Sequence, residues 1–195
     1  LQGGDRQGGD SPQDGDSGEA AEFGTLVHYL LEKAFAHVRK TGEMYIPPFS
    51  LLSHTSLPSH IRNDHALYEQ ACDIVHSLTR TELFRNIEDA DDAYFELPFT
   101  LCLEAFSIHG KIDLFLVTGG RTMLIDYKSG RIVKPDDYRM QLDIYRLALE
   151  MMGWPEPEAI IYDLRQNEPH RLQRRFTKRE ITEIARELSG EPLTT

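Results

Sequence analysis

The chain has 195 residues, of which 27% are charged, and its formal net charge is −11 at pH 7. This length suffices for one domain with a hydrophobic core, and the acidic balance argues against a protein that coats nucleic acid over its whole surface. The 2 cysteines are too few for a disulfide framework or a four-thiolate cluster, and no apolar run is as long as a membrane span.

Residues 1–19 are rich in Gly, Asp, Gln and Ser and contain very little to bury. Such a composition cannot offset the entropy of ordering the chain, so we expect a flexible acidic linker or tail here. Because the first residue is Leu rather than Met, we also expect the chain to be a piece of a longer protein, tethered through this linker. Residues 191–195 are expected to form a short tail.

Residues 20–40 have the spacing of an amphipathic helix. His28 and Glu32 lie four residues apart and share a face beside the apolar stripe. A single histidine in such a position is most often a surface or core-edge residue, so spacing alone predicts no function for His28. The apolar stripe consists of Phe23, Val27, Leu30, Leu31, Ala34, Phe35 and Val38.

The segment at about 41–92 is predicted to be a helical and loop insertion. Prolines interrupt residues 41–62, whereas residues 63–87 return to helical spacing with Asp64 as a candidate N-cap. Thr81 to Ile87 predicts a second short helix, followed by an acidic loop. Five histidines lack the mutual spacing of a zinc site and are taken as non-functional: His37, His54, His60, His65 and His76.

The next segment is rich in aromatic and apolar residues. Tyr94 to Ile108 predicts one strand, interrupted near Pro98. Two further apolar runs, Ile112 to Val117 and Met123 to Ile125, flank a Thr-Gly-Gly-Arg sequence at positions 118–121. A Gly-Gly centre between apolar runs is typical of an antiparallel hairpin.

This hairpin carries charged residues within apolar strands. Side chains alternate along a strand, so Asp126 and Lys128 share one face while Tyr127 points to the other. Pairing across the turn can bring Asp113 near Asp126. Burying these charges is unfavourable unless they pair or hold a metal such as Mg²⁺, which carboxylates commonly bind. The Asp-x-Lys triplet alone is also compatible with an edge hairpin that bears surface charges.

The chain continues with a helix, Tyr138 to Met152, on which Gln141 and Tyr145 lie four residues apart. Ala159 to Leu164 predicts a short strand parallel to the strand of Asp126, since the intervening helix makes a right-handed crossover. The apolar stripe of the helix consists of Met140, Ile144, Leu147, Ala148 and Met151.

The C-terminal part is basic. Residues 165–179 contain six Lys and Arg residues against one Glu, and 170–176 predict a return strand bearing Arg171, Arg174 and Arg175. This strand is a candidate for contact with a phosphate backbone, and arginines that merely protect an edge strand are the alternative. Arg139 is a further candidate. Thr177 and Glu180 predict the capping box of a last helix that ends near residue 188.

Five short motifs, in this order, resemble the RecB/AddA-type nuclease domain of the PD-(D/E)XK nuclease superfamily. The resemblance covers about two-thirds of the chain, and the ordered set is more specific than any one motif. Ser129 replaces the usual Thr after the fourth motif, and residues 41–92 match no part of the family pattern. The motifs are Gly-Thr-x-x-His-x-x-Leu-Glu ending at Glu32, Glu-x-Pro-Phe from Glu96, Gly-x-Ile-Asp ending at Asp113, Asp-Tyr-Lys ending at Lys128, and Gln-Leu-x-x-Tyr ending at Tyr145.

The resemblance implies an α/β fold with a restriction-endonuclease-like core, a central mixed β-sheet flanked by helices, as one domain over residues 20–190. It also implies a catalytic role for Asp113, Asp126 and Lys128, with Gln141 positioning the lysine or a phosphate and Tyr145 supporting the site. Glu96 is as compatible with an active-site carboxylate as with an edge-strand residue. The metal ligands implied are His28, Asp113, Asp126 and the backbone carbonyl of Tyr127.

The function implied is that of a deoxyribonuclease of exonuclease type, dependent on Mg²⁺ or Mn²⁺, without the iron–sulfur cluster of some relatives. The resemblance further implies that the partner is a helicase, in the same complex as a domain or separate chain, and that the substrate is single-stranded DNA or DNA ends. A role in double-strand-break repair is implied too, with a place in the bacterial cytoplasm with the nucleoid rather than at a membrane. A free-standing repair or phage-type exonuclease and a catalytically silent DNA-binding module are the alternatives.

Overall fold

The structure of the chain is a computed structural model that describes residues 15–103 and 106–189. The first helix begins at Gly15, inside the segment predicted to be a linker, whereas residues 1–14 and the predicted tail at 191–195 lie outside the described residues. The helices are α1 (Gly15–Thr41), α2 (Ser59–Arg62), α3 (His65–Leu78), α4 (Glu82–Asp89), α5 (Arg139–Met151) and α6 (Lys178–Ser189), and the strands are β1 (Asp92–Leu103), β2 (Phe106–Thr118), β3 (Arg121–Lys128), β4 (Glu158–Asp163) and β5 (Glu168–Leu172).

The strands form one five-stranded sheet in the order β1-β2-β3-β4-β5. Strands β3 and β4 are parallel and are connected through α5, while the other neighbouring strands are antiparallel. The predicted central mixed sheet is therefore confirmed, as is the parallel pairing of the strand after the crossover helix.

The Gly-Gly hairpin also forms as predicted. Thr118 pairs with Arg121, and Gly119 and Gly120 have φ values of 55° and 78°. Positive φ at both central residues is the backbone conformation of the hairpin turn that matches the twist of antiparallel strands, and glycine adopts it without steric cost.

The prediction of a single strand from Tyr94 to Ile108 is wrong. The chain forms the β1–β2 hairpin here, with pairing that extends to Leu103 and Phe106. Positions 104 and 105 are Glu and Ala, so the reversal lacks the Gly, Pro, Asn or Asp residues that usually mark a turn.

Helices cover both faces of the sheet. Alternate residues of β2 belong to different clusters of buried side chains: Leu114 and Leu116 pack with α1, α3 and α4, whereas Phe115 and Val117 pack with α5 and α6. The segment predicted as an insertion contributes to the first cluster and so is part of the core of the domain. Its buried residues there are Leu52, Leu57, Ile61, Ala71, Val75, Leu78, Leu83, Ile87 and Ala90.

The predicted caps form. The side chain of Asp64 accepts a hydrogen bond from the backbone N–H of Leu67. Thr81, which was not predicted as a cap, accepts one from the backbone N–H of Phe84 at the start of α4. Thr177 and Glu180 make both hydrogen bonds of a capping box at the start of α6. These contacts satisfy backbone donors that have no partner within the helix and fix where each helix begins.

The predicted apolar stripe of α5 is only partly correct. Met151 is 54% exposed, while Leu142, Asp143 and Arg146 are buried. Asp143 and Arg146 form an ion pair of 2.7 Å and also bind the backbone of Leu172, Arg175 and Phe176. The charged pair thus ties α5 to β5 and to the chain that follows it.

In the part of the chain that the structure describes, none of the helices combines the length and the hydrophobicity that crossing a membrane requires.

Candidate active site

Three carboxylates lie in one row across three neighbouring strands. Phe95 pairs with Leu114, and Leu97 pairs with Ile112. Glu96 and Asp113 lie between these pairs and are therefore neighbours on β1 and β2. The pairing of Leu114 with Ile125 puts the next pair, Asp113 and Asp126, in the corresponding positions of β2 and β3. The predicted approach of Asp113 to Asp126 therefore follows from strand register, and Glu96 extends the row by one strand.

Glu96 has an unusual backbone for a strand residue, with a φ of 50°. The side-chain alternation slips at this point, because Phe95 packs with the α1 side of the sheet and Leu97 with the α5 side. In a regular strand these two residues would share a face. A left-handed conformation at a residue other than glycine costs about 1–3 kcal/mol, and it leaves the Glu96 side chain lining the same cleft as Asp113.

Helix α1 supplies the imidazole of His28. Its Nδ1 lies 3.4 Å from Asp113 Oδ1 and 4.0 Å from Glu96 Oε1, and its ring makes an edge contact with Tyr127 at 5.8 Å between centroids. Close packing of α1 on the end of β3 permits this approach: a Cβ at Gly24 would lie 3.0 Å from Ser129 Oγ. Gly24 of the first motif therefore keeps His28 near the carboxylates.

The second half of the site is a chain of polar contacts between β3 and α5. Asp126 Oδ2 lies 2.6 Å from Lys128 Nζ, and its Oδ1 accepts a 2.8 Å hydrogen bond from Gln141 Nε2. Lys128 Nζ also donates to Gln141 Oε1 at 3.4 Å, and Gln141 Nε2 donates to the Tyr145 hydroxyl at 2.7 Å. Gln141 therefore contacts both Asp126 and the lysine, as the positioning role predicted for it requires.

The two halves meet at the backbone of Tyr127, whose N–H donates a 2.7 Å hydrogen bond to Asp113 Oδ2. The Tyr127 ring lies on the α1 side of the sheet, while Asp126 points to α5, as strand alternation predicts.

Several carboxylates lie close together in the site, and their negative charges contribute to raised pKa values there. Burial and the nearby charge of Asp113 raise the pKa of Asp126 to about 6, although Lys128 acts in the opposite direction. Burial and Asp113 likewise raise the pKa of Glu96. Burial lowers the pKa of His28, but its hydrogen bond to Asp113 and the surrounding carboxylates outweigh burial and give a net increase. Each of these shifts indicates a place where additional positive charge is favourable.

The donor set fits a divalent cation. One ligand atom each from His28, Glu96 and Asp113 lie within 4.8 Å of one another. Carboxylate oxygens suit Mg²⁺, and an added imidazole nitrogen is acceptable to Mn²⁺. Asp126 is not part of this closest group. Its Oδ2 lies next to Lys128 Nζ, and its Oδ1 accepts the hydrogen bond of Gln141.

The three residues of this closest group line a cleft of about 560 Å³ between α1, the strand ends and the start of α5. Besides His28, Glu96 and Asp113, Lys128 lines it. One wall is formed by Ser56 and Leu57 from the segment predicted as an insertion.

The arginines predicted to bind DNA do not line this cleft. Arg171 pairs with Glu158 at 2.6 Å and Arg174 with Glu150 at 2.9 Å. Arg175 stacks on Phe176 at 5.2 Å, and Arg139 binds Asp136 and the backbone of Gln173. Arg171 lies on β5, which ends at Leu172, so Arg174 and Arg175 follow the strand rather than belong to it.

Two cleft residues were missed at the level of sequence. The Tyr138 ring lies 4.7 Å from Lys128 Nζ, and Lys111 lies 3.6 Å from Glu96. Tyr138 could have been found, because positions 138, 141 and 145 follow the spacing of one helix face. Lys111 had no comparable signal, since the slip of alternation at Glu96 is not visible in the residue pattern.

The chain is an α/β domain with a mixed sheet, and one cleft contains acidic residues, a lysine and a histidine. This combination defines the class of protein as a nuclease-like α/β domain. The family model of the PD-(D/E)XK nuclease superfamily matches residues 5–191. The chain therefore belongs to the PD-(D/E)XK nuclease superfamily, and the predicted restriction-endonuclease-like fold class is confirmed.

Among curated proteins, the chain is similar to one of the subunits of an ATP-dependent helicase/nuclease from Staphylococcus saprophyticus, with 25% identity over 169 residues. This match covers 74% of the chain but 14% of that relative, so the chain spans a small part of it.

Three solved structures are also similar to the chain. A protein of Eubacterium rectale, provisionally named an exonuclease, has a TM-score of 0.48 and 16% identity, covering 88% of this chain and 64% of that one. The structure of SSO0001 has a TM-score of 0.41 and 14% identity, and the match covers 85% of this chain and 74% of that one. VC1899 of Vibrio cholerae has a TM-score of 0.34 and 14% identity, with 89% and 47% covered.

Proposed function

We propose that this chain is a metal-dependent DNA nuclease domain that hydrolyses phosphodiester bonds. The observation that carries the proposal is the row of Glu96, Asp113 and Asp126 across three strands, with the imidazole of His28 at one end and the ammonium of Lys128 at the other. Membership in a nuclease superfamily supports the same conclusion.

His28, Asp113 and Glu96 would hold the cation. Asp126 and the Tyr127 carbonyl complete the ligand set that the sequence resemblance implies. When bound, Mg²⁺ or Mn²⁺ polarises a phosphoryl oxygen, lowers the pKa of a bound water and offsets charge on the phosphate. The raised pKa values of Glu96 and Asp126 support this assignment, because both carboxylates lie where a cation would stabilise their ionised forms.

The other polar side chains of the site would orient the attacking water and stabilise negative charge on the phosphate. Lys128 lies between Asp126 and Gln141 and over the Tyr138 ring, so its ammonium is held at the cleft in a defined place. A fixed ammonium can bind the attacking water and stabilise negative charge that develops on the phosphate. Burial raises the pKa of Tyr145 to about 12, so its hydroxyl is neutral and accepts the hydrogen bond of Gln141.

We further propose that the domain works beside a helicase in double-strand-break repair in the bacterial cytoplasm, and that single-stranded DNA or DNA ends are its substrate. The support is similarity to a relative named as part of a helicase/nuclease, of which this chain covers a small portion. A free-standing exonuclease with the same core and a silent DNA-binding module are the rival functions.

Cleavage of labelled single-stranded DNA tests the proposal. Asp126→Asn and Lys128→Ala should each reduce Mg²⁺-dependent cleavage by at least about a hundredfold. Lys128 supplies positive charge to the phosphate, and Asp126 holds that ammonium and belongs to the implied ligand set. EDTA should abolish cleavage by the wild-type chain. Asp126→Asn should keep its melting temperature, because an amide of the same shape replaces a buried carboxylate whose ionised form is disfavoured there.

Asp73→Asn on the exposed side of α3 and Lys178→Ala on α6 are matched controls, and both should cleave like the wild type. Equal cleavage by Asp126→Asn and Asp73→Asn would reject the assigned centre. DNA binding without Mg²⁺-dependent cleavage would favour the silent module.

A further inference from the structure

A shallow groove continues from the cleft along the outer side of α1. Tyr29 lines both the cleft and this groove, so the two are contiguous. The groove has a volume of about 370 Å³, and we call it the α1 groove. It is lined by Tyr29, Lys33, His37 and Lys40 on one side and by Tyr45 and Leu51 on the other.

The α1 side of this groove is a regular stripe. Its residues follow one another at spacings of three and four, which places them on one helix face. From Tyr29 to Lys40 the stripe is about 16 Å long at 1.5 Å per residue. It begins at Tyr29, which also lines the cleft, so a strand lying along the stripe would arrive at the cleft that contains the proposed metal ligands.

The charge of the groove is opposite to that of the protein. Lys33 and Lys40 line it, and none of the described residues that form its walls is acidic, although the chain has a net charge of −11. Lys33 contacts Glu32 at 2.7 Å, but the pair is exposed to solvent. Exposed pairs of this kind contribute little, so the ammonium remains able to bind an incoming anion.

The groove also presents aromatic rings. Tyr45 is 42% exposed, and its ring lies 5.1 Å from that of His37. At the cleft end, Lys33 Nζ lies 5.6 Å from the centre of the Tyr29 ring. Alternating rings and ammonium groups along a groove are the combination that binds single-stranded nucleic acid, because bases stack on the rings while cations contact the phosphates.

We propose that the α1 groove binds single-stranded DNA and leads it to the cleft, which makes the substrate single-stranded rather than duplex. The proposal rests on the nuclease function proposed above. In a duplex the faces of the bases are already stacked on each other, so Tyr45 could contribute only to the binding of an unpaired strand.

Fluorescence anisotropy with a labelled oligothymidylate in EDTA measures this binding without cleavage. Tyr45→Ala should weaken binding by at least about fivefold, the effect of losing one stacked base. Lys33→Ala combined with Lys40→Ala should reduce the slope of log affinity against log salt by about 1.4, since each phosphate contact on a single strand contributes about 0.7. The affinity for duplex DNA should change much less in Tyr45→Ala.

Two controls are matched to these variants. Tyr94 on β1 is 38% exposed and lines none of these surfaces, and Lys178 lies on α6. Tyr94→Ala and Lys178→Ala should bind oligothymidylate like the wild type. Wild-type binding by Tyr45→Ala and by the double lysine variant would overturn the proposal, as would equal losses for single-stranded and duplex DNA.

A second readout separates this proposal from the nuclease function. The groove variants should hydrolyse a small activated phosphodiester, bis(p-nitrophenyl) phosphate, at the wild-type rate, whereas Asp126→Asn should not. If Asp126→Asn hydrolyses it normally, the catalytic centre is wrong while the anisotropy results still decide the groove. If the groove variants bind normally and Asp126→Asn is inactive, the groove is wrong and the nuclease stands.

Discussion

The carboxylates of Glu96, Asp113 and Asp126 occupy equivalent register positions but have different partners. Asp113 is held by a backbone N–H and by His28. Asp126 is buried and engaged by Lys128 and Gln141. Glu96 has only His28 at 4.0 Å and Lys111 at 3.6 Å among the described residues, and is therefore the acid most available to an additional cation.

This difference predicts how single substitutions change metal binding. Glu96→Gln and His28→Ala should each weaken Mn²⁺ binding by at least about tenfold, because each removes a donor atom from the closest group of three. Isothermal titration calorimetry on the apo chain measures the change directly.

Glu32→Gln is the matched control, since Glu32 lines the same cleft but lies outside the group of three. It should bind Mn²⁺ nearly as the wild type does. If Glu96→Gln binds normally while Asp126→Asn does not, the ligand set is the one implied by the sequence resemblance, with Asp126 in place of Glu96.

At the residue scale the sequence was informative where local rules apply. Strand alternation separated Tyr127 from Asp126 and Lys128, and helical spacing paired Gln141 with Tyr145. The family resemblance named Glu96 but left its role open, and local rules could not place its side chain, because a positive φ at a residue other than glycine depends on tertiary packing. Local rules could not place Lys111 for the same reason.

At the scale of elements, the β1–β2 hairpin depends on a glycine–aromatic pair. Gly110 lies opposite Phe99, whose ring covers it so closely that an added Cβ would lie 2.8 Å from two ring atoms. The same ring makes an edge contact with Tyr145 at 5.4 Å. Phe99 of the second motif, Gly110 of the third and Tyr145 of the fifth thus meet in one packing contact that supports the site.

Gly110→Ala should therefore lower the free energy of unfolding by about 1–3 kcal/mol, the usual cost of overpacking. Urea denaturation measures this change. Combining Gly110→Ala with Phe99→Leu should cost less than the sum of the two single substitutions, because the smaller side chain vacates the space that the new Cβ needs.

Gly130→Ala is the control for the glycine itself. No described atom lies within 4 Å of a Cβ at Gly130, so this variant should be as stable as the wild type or slightly more stable. Equal stability of Gly110→Ala and Gly130→Ala would show that the Phe99 ring moves aside freely.

Sequence patterns located most elements but not their connections. The helices predicted to follow the caps Asp64 and Thr177 begin there, and the Gly-Gly turn set the β2–β3 register. The β1–β2 reversal was missed because its two central residues are Glu and Ala. The segment at 41–92 was assigned to an insertion, yet its apolar residues complete the core on the α1 side, a contact that no local pattern reveals.

At the scale of the whole molecule, the two basic surfaces differ in where they lie relative to the cleft. Arg171, Arg174 and Lys33 each have an acidic partner, so ion pairing does not distinguish the two surfaces. The groove leads to the cleft, and the arginines lie outside it. We therefore expect both to influence DNA binding but to different degrees.

Replacing Arg171, Arg174 and Arg175 by Gln should lower the affinity for oligothymidylate and flatten its salt dependence, as predicted for a phosphate-binding strand. The change in slope should be smaller than the change of about 1.4 expected for Lys33→Ala with Lys40→Ala, because the arginines line neither the cleft nor the α1 groove. A salt titration of the anisotropy midpoint gives both slopes.

A variant with unchanged net charge distinguishes a direct contact between Arg171 and a phosphate from a long-range electrostatic effect. Arg171→Gln combined with Glu158→Gln removes the exposed pair without changing the net charge. If Arg171 contacts a phosphate, this double variant should bind as weakly as Arg171→Gln alone; if only the field matters, binding should return to the wild-type value. A larger loss of slope from the arginine variant than from the lysine variant would move the principal DNA path from α1 to the segment around β5.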